Sequence, residues 1–232
     1  MTNSVEMLSL LQKRYGSADW SRWQVLRWSF YDYVRLNSAG VTQVSFFQNP
    51  LGSTDPVSTL AKTLEDTNMN SAGTFGQVYF ICVEIRTHIR FLTKDRQPTG
   101  ISDDADLIST TLAGATDGLL TLMQHGVLLF NIGQKAYYDI ERPFLAAPPG
   151  FGLTFYQNAA ATGTVSTLAS QSPYKRDTYQ LTPPQVVEPQ QTFTMQVNFD
   201  AATPVFTNTV SSATPRMQIG VILDGYLARP AQ

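Results

Sequence analysis

The chain has 232 residues, a formal net charge of −2 at pH 7 and one cysteine, Cys82. One cysteine excludes an intrachain disulfide framework and a cysteine-based zinc cluster, and the small net charge gives no general attraction to nucleic acid. Charged residues make up 15% of the chain, against about 25% in typical soluble domains. So few charges indicate a surface that partners largely cover, and the alternative is a secreted β-rich domain with a polar, uncharged surface.

The N-terminal segment, residues 1–40, differs from the rest because it is net positive and contains all three tryptophans. It lacks the basic stretch and continuous apolar run of a secretory signal, so we expect synthesis in the cytoplasm of the producing cell. The spacing of Met7, Leu11 and Tyr15, followed by Trp20 and Trp23, is typical of helical turns. We therefore predict a partly helical N-terminal arm.

Aromatic and arginine side chains alternate through this arm and make it the best candidate for an interaction site. Tryptophan and arginine are enriched at interface hot spots, because they bury a large area and keep a polar group. The arm could contact its own domain or a neighbouring subunit, a membrane surface, or, least favoured, nucleic acid. The predicted interaction residues are Trp20, Arg22, Trp23, Arg27, Trp28, Tyr31 and Arg35.

From Val41 onward the sequence has the composition of a β-domain and holds all 13 prolines. Period-two alternation is clearest at Val78–Phe91, which predicts one face formed by the odd-numbered residues from Tyr79 to Phe91 and a second face carrying Glu84, Arg86, His88 and Arg90. The predicted strands are Val41–Phe47, Val78–Phe91, Val127–Ile132, Ala136–Ile140, Gly152–Gln157, Thr192–Phe199 and Met217–Leu227.

Long connections separate several of these strands, at Gln48–Gly76, Gln97–Gly118 and Asn158–Gln191. The second contains a short possible helix, and the third is punctuated by prolines. Loops of this length favour strands that cross between two sheets, as in a Greek-key sandwich or jelly roll. We expect residues 41–232 to form this β-sandwich domain.

The sequence shows few groups that could perform catalysis. His88 and His125 are far apart, and no P-loop or dinucleotide fingerprint is present. Asp103, Asp104 and Asp106 could offer oxygen ligands to a cation, but they lack the glycine and distal glutamate of an EF-hand loop, and a solvated loop or helix N-terminus is favoured. We predict that the chain is not an enzyme, with no catalytic, cofactor-binding or metal-binding residues.

The layout of residues 41–232 resembles the jelly-roll major capsid proteins of tailless icosahedral phages, especially those that enclose a membrane. The resemblance is carried by the early strand ending in SFFQNP, the loop DTNMNSAG, the long strand VYFICVEIRTHIRF and the terminal VILDGYLARPAQ. The family includes single and double jelly rolls, and a double one needs two sets of eight strands. The seven predicted strands therefore favour a single, elaborated jelly roll, with a compact double jelly roll as the alternative.

The resemblance also implies a function. The expected activity is self-assembly into trimeric or pseudo-hexameric capsomers and an icosahedral shell, so the expected location is the virion. A second capsid or vertex protein and an internal membrane are further expected contacts, and no specific nucleic acid is predicted. Removal of the arm should leave a folded but assembly-defective domain.

Two other classes of β-sandwich stay open. A carbohydrate-binding or cell-surface module would bind through exposed aromatic side chains and polar loops, although no secretory signal is predicted. A cupin-type enzyme would need histidines and a carboxylate on facing strands, and two separated histidines make this class the weaker one.

Overall fold

The structure is a computed structural model that describes residues 4–16, 23–36, 42–55, 61–91, 126–136, 142–143, 151–157, 165–171, 179–199 and 217–230. One helix, α1, spans Ser4–Tyr15, as the spacing of Met7, Leu11 and Tyr15 predicts. The strands are β1 (Trp23–Leu36), β2 (Gln43–Phe46), β3 (Tyr79–Phe91), β4 (Val127–Ile132), β5 (Lys135–Ala136), β6 (Arg142–Pro143), β7 (Phe151–Gln157), β8 (Val165–Gln171), β9 (Tyr179–Val187), β10 (Phe193–Asn198) and β11 (Met217–Pro230).

The strands form two main antiparallel sheets and one separate hairpin. The first sheet has the order β1-β11-β3-β9, and the second has the order β2-β10-β4-β5, with β6 also paired to β4. The hairpin consists of β7 and β8. The protein is therefore mostly β, as the sequence predicts.

The pairing pattern follows a simple rule when β5 and β6 are counted as one position and the separate hairpin is left aside. Strand β1 pairs with β11, β2 with β10, β3 with β9, and β4 with β5 and β6, so the strands pair from the outermost to the innermost in chain order. The chain is thus a long antiparallel hairpin that is rolled up, with β11 joined to β3 in one sheet and β10 joined to β4 in the other. This order agrees with the expected single jelly roll, and the described strands contain one such winding.

A single aromatic and aliphatic core lies between the two sheets. It includes Phe30 and Phe80 from the first sheet and Phe130 and Phe193 from the second. Phe75, from the segment before β3, stacks on Phe193 with ring centroids 4.4 Å apart. Because one buried cluster contains side chains from both sheets, the architecture is an all-β sandwich.

The prediction that β3 has one apolar face is wrong for the first half of the strand, where apolar side chains lie on both faces. Phe80 and Cys82 point into the core between the sheets, whereas Ile81 and Val83 point to the opposite side. The register then shifts, because β11 pairs Asp224 with Glu84 but Gly225 with Cys82, which leaves Val83 as an extra residue. This β-bulge reverses the alternation, so that Ile85 also faces the core.

The helical structure expected between residues 20 and 35 is also wrong, because the described part of this segment is strand β1. All 14 residues of β1 pair with β11. The first sheet therefore begins before residue 40, and a domain boundary there would separate β1 from its partner. A truncation that starts at Val41 would remove an edge strand of the sheet together with α1.

The segment 61–69 covers the free edge of β1. The Tyr33 amide donates to the Asp66 carbonyl at 2.8 Å, and the Tyr31 amide donates to Asn68 Oδ1 at 3.0 Å. Asn68 also donates through Nδ2 to the Ser29 carbonyl at 2.8 Å. An uncovered strand edge can pair with another chain, and these bonds close this one.

Several further strand predictions can be compared with the structure. The predictions at Val127–Ile132 and Thr192–Phe199 are confirmed by β4 and β10, and β11 extends three residues beyond the predicted Leu227. No strand was assigned within the long connection Asn158–Gln191, and the structure places β8 and β9 there. Residues outside the described ranges include the possible helix in Gln97–Gly118, the aspartates 103, 104 and 106, His125, and most of the predicted strand Ala136–Ile140.

The close approach of β11 to β3 at the bulge makes Gly225 a sensitive position. A Cβ there would lie 2.0 Å from the Ile81 carbonyl oxygen, whereas a Cβ at Gly220 would meet only the Tyr33 ring, at 2.3 Å. We expect Gly225→Ala to lower the free energy of unfolding by about 1–3 kcal/mol or more, because backbone cannot rotate away. Gly220→Ala is the control, measured by urea unfolding with and without Tyr33→Ala. Removal of the Tyr33 ring should reduce the loss of stability that Gly220→Ala causes. If Tyr33→Ala reduced the loss of stability of Gly225→Ala by the same amount, this account would be contradicted.

The thiol of Cys82 is fully buried in the core, and burial raises its pKa above the ordinary range. We expect the native protein to resist an aromatic disulfide reagent at pH 8, and unfolded protein in urea to react with one equivalent. The comparison of the two reaction rates by absorbance measures this protection. Rapid modification of the native thiol would show that the core opens at β3.

Candidate interaction surface

The outer face of the first sheet is the face that points away from the core, and it has two chemically different halves. Strand alternation places the odd-numbered residues of β1 and the even-numbered residues of β11 on this face. The half that contains Trp23, Ala228 and Ile81 is covered by α1. The other half contains Ser29, Asp224 and Arg86, and we call it the open half.

Helix α1 is held on the covered half by two buried anchors. Met7 is 2% exposed and Leu11 is 0% exposed, and they belong to a cluster with Ile81, Val83, Val186, Tyr226 and Ala228. At the end of the helix, the Tyr15 hydroxyl donates to Glu188 at 2.7 Å. Burial, with the Glu188 contact, raises the pKa of Tyr15, so this donor stays protonated through the physiological range.

Charged side chains cross the strands of the open half. Asp224 on β11 accepts a hydrogen bond from the Ser29 hydroxyl on β1 and forms an ion pair with Arg86 on β3. The Arg27 guanidinium lies over the Tyr226 ring, 5.3 Å from the centroid. The aspartate is almost buried, whereas the Arg86 side chain is 41% exposed, so the exposed charge on this row is cationic.

A second polar contact crosses the same sheet over a glycine. The Tyr33 ring covers Gly220, and its hydroxyl lies 3.0 Å from His88 Nδ1. The rings of Tyr33 and His88 meet nearly at right angles with centroids 5.6 Å apart. The small residue in the central strand is thus covered by an aromatic ring from the edge strand, which fills the space where a side chain is missing.

The predicted interaction residues do not form one surface. Trp23, Arg27, Tyr31 and Arg35 are odd-numbered and lie on the outer face, whereas Trp28 points to the opposite side. Trp23 packs against Tyr79 and Arg35 is 4% exposed, so both belong to the folded domain. Trp20 and Arg22 lie outside the described residues. The missed signal was the period-two alternation of Leu26, Trp28, Phe30 and Val34, which Asp32 interrupts.

Exposed apolar side chains occur at a different place, along the edge of β1 and on the chain bonded to it. Four large hydrophobic residues of the described ranges are exposed, and three of them, Trp28, Leu51 and Leu64, lie on β1 or on the chain bonded to it. Leu51 is linked to Met69 by a backbone hydrogen bond of 2.8 Å, and the Leu64 carbonyl accepts from the Tyr31 hydroxyl. We call these three residues the β1-edge patch.

A groove lies between α1 and β9, with a volume of about 840 Å³. Its walls are the exposed side of α1, including Val5 and Leu10, and Pro183 and Pro184 of β9. Lys13 and Arg14 add positive charge at one end. Prolines suit β9 because it is an edge strand, where a missing backbone donor leaves no ladder partner unpaired.

Within the described ranges, no group of three or more histidine, cysteine, aspartate or glutamate residues is placed to hold a metal ion. No helix in that part of the chain is both long and apolar enough to cross a membrane. Comparison with family models, with curated proteins and with solved structures finds no match to this chain. The geometry and the sequence are therefore the basis for any function assigned to it.

The two anchors of α1 give a direct test of how the helix is held. Leu11→Ala should release α1 from the sheet, because truncation of a buried leucine costs about 2–5 kcal/mol and the helix has few other deep contacts. Hydrogen exchange followed by mass spectrometry should show faster exchange in residues 4–15 while the core strands stay protected. Gln12→Ala, at an exposed position of the same helix, is the control and should leave the exchange unchanged. Exchange that also speeds up in β4 and β10 would show that α1 is part of the cooperative core.

Proposed function

We propose that this chain is a structural subunit of a viral capsid, whose activity is to associate with copies of itself. The observation that carries the proposal is the strand pairing, one antiparallel hairpin rolled into two facing sheets. This winding, with the resemblance of residues 41–232 in layout and sequence to jelly-roll capsid proteins, favours a shell-forming subunit. Many functions share this fold, so the support comes from the surface as well.

The β1 edge supports contact through side chains. Its backbone groups at Ser29, Tyr31 and Tyr33 are already bonded to segment 61–69, so a neighbouring copy cannot extend the sheet at these residues. Trp28, Leu51 and Leu64 nevertheless remain exposed there, at 45%, 39% and 64%. Exposed apolar side chains gathered in one place are typical of protein contacts. We assign the β1-edge patch to the contact between subunits in a capsomer.

Closed shells need contacts that are individually modest and repeated by symmetry. A patch of three apolar residues beside the polar segment 61–69 provides such a contact, because it adds burial without a large hydrophobic surface in the free subunit. The low share of charged residues in the chain agrees with this, since charge is depleted at the centre of protein interfaces.

Assembly is tested by light scattering after size-exclusion chromatography, with negative-stain microscopy over a range of salt and pH. We expect wild-type protein to form trimers, hexamers or shells. The double variant Trp28→Ser, Leu64→Ser should shift the population strongly toward monomer, because the exposed apolar contact is lost. Val5→Ser is the matched control, since Val5 is 70% exposed but lies on α1, away from the β1 edge.

Two results would contradict the proposal in different ways. Wild-type protein that stays monomeric at high concentration would contradict the capsid function. A double variant that assembles as well as wild type would contradict only the assignment of the β1-edge patch. Circular dichroism of each variant confirms that its fold is intact.

A further inference from the structure

A lysine and an aspartate meet at full burial between β1 and the segment that covers it. Lys62 Nζ lies 2.6 Å from Asp32 Oδ1, and both side chains are 0% exposed. Asp32 points toward the core side of β1, with Phe30 and Val34 before and after it on the same face. The ordinary interpretation of this contact is a buried ion pair, which is costly unless both charges are well bonded.

Lys62 Nζ has a single hydrogen-bond acceptor among the residues that the structure describes. An ammonium group has three donors, yet in the described residues Nζ donates only to Asp32. A buried ammonium with one acceptor loses its hydration without adequate replacement. An amide bond between the two side chains would remove both buried charges, and its formation requires transfer of one proton from Nζ to the carboxylate.

The two oxygens of the Asp32 carboxyl group have different hydrogen-bond donors, Lys62 on Oδ1 and a backbone amide on Oδ2. The Phe47 amide donates to Asp32 Oδ2 at 2.7 Å, on the oxygen that lysine does not contact. Phe47 has a φ of 63°, a backbone conformation that costs energy for a residue with a side chain, and this conformation presents its N–H to the carboxyl. Next to Asp32, the fully buried Thr67 of segment 61–69 donates its hydroxyl to the Tyr31 carbonyl at 3.2 Å. In addition, burial raises the pKa of Asp32, although Lys62 acts against the rise.

We propose that Lys62 and Asp32 are joined by an isopeptide bond, an amide between Lys62 Nζ and Asp32 Cγ that forms in the folded protein. The neutral amine attacks Cγ of the protonated carboxyl group, and a C–N bond forms. The Phe47 amide stabilises the negative charge that develops on Oδ2. The bond from Cγ to Oδ1 then breaks, and this oxygen leaves as water with one proton from the carboxyl group and one from the amine.

The amine and the carboxylic acid supply every atom of the products. No oxidant or reductant takes part, and the products are one amide and one water molecule. The amine proton passes directly to the leaving oxygen, because Nζ already donates to Oδ1. The enforced contact of 2.6 Å supplies the proximity that free lysine and aspartate lack in water. The product ties segment 61–69 to the edge strand covalently.

Intact-mass spectrometry of the full chain under denaturing conditions tests this proposal. We expect a mass lower than the sequence mass by that of one water molecule. Trypsin should fail to cut after Lys62, and peptide 28–35 should appear attached to the peptide that contains Lys62. A wild-type protein with the full sequence mass, and with normal cleavage after Lys62, would overturn the proposal.

A succinimide at Asp32 also removes one water, so it needs a separate control. It leaves Lys62 cleavable and opens in mild alkali, whereas an isopeptide bond blocks cleavage and survives. A water loss that disappears after alkaline treatment would therefore count against the crosslink.

Lys62→Arg is the matched variant, because its guanidinium can still donate hydrogen bonds to Asp32 but cannot form the amide. We expect the full sequence mass for this variant and a lower urea midpoint than for wild type. If Lys62→Arg does not fold, the wild-type mass and peptide map still decide the question. This proposal is independent of assembly, since the bond lies within one chain.

Discussion

The extra residue in β3 is the constraint on which the first sheet depends. Upstream of Val83 the strand must send Phe80 and Cys82 into the core, and downstream it must send Ile85 to the same side. An uninterrupted strand cannot do both, because side chains alternate strictly. The bulge at Val83 resolves this conflict, and Gly225 makes room for it because a Cβ there would collide with the Ile81 carbonyl. Without the shift, Glu84 and Arg86 would point into the sandwich.

The same bulge determines where the helix can bind. Upstream of the bulge, Ile81 and Val83 of β3 join Tyr226 and Ala228 of β11 on the outer face, and this apolar half receives α1. Downstream, Arg86 meets Asp224 and His88 meets Tyr33, so that half stays polar. The helix therefore binds the half of the sheet where several apolar side chains of β3 and β11 meet on the outer face.

How far the sequence could predict this fold depended on whether a strand kept one clean face. Strand β4 and strand β10 alternate without interruption, and the sequence located both. Strand β1 was missed because Asp32 occupies a position on its inward face, and its aromatic and arginine residues suggested an exposed arm. Strand β9 was missed because Pro183 and Pro184 lie within it, which only its edge position allows.

The candidate surface was less predictable than the fold. Strand alternation divides the predicted residues between two faces, and within one strand Arg35 is buried whereas Trp28 is exposed. The Lys62 contact with Asp32 spans 30 positions of sequence and becomes visible only when segment 61–69 lies along β1. Short-range patterns cannot report such a contact, because it depends on how a long connection returns to the sheet.

The edge of β1 has a bonded backbone and exposed apolar side chains, two properties that serve opposite purposes. In the proposed capsid subunit, its backbone must be closed against sheet extension, whereas its side chains must stay available to a neighbouring copy. Segment 61–69 meets the first requirement through its bonds to Tyr31 and Tyr33, and leaves Trp28 and Leu64 exposed for the second. This arrangement works only if the segment stays in place while the contact forms. Gln218 of the central strand donates to Asp66 at 3.0 Å and Lys62 is fixed at Asp32, so the segment is anchored on both sides of the edge strand. A rigid edge loses less conformational entropy on association than a mobile loop would, and this favours a contact of small area.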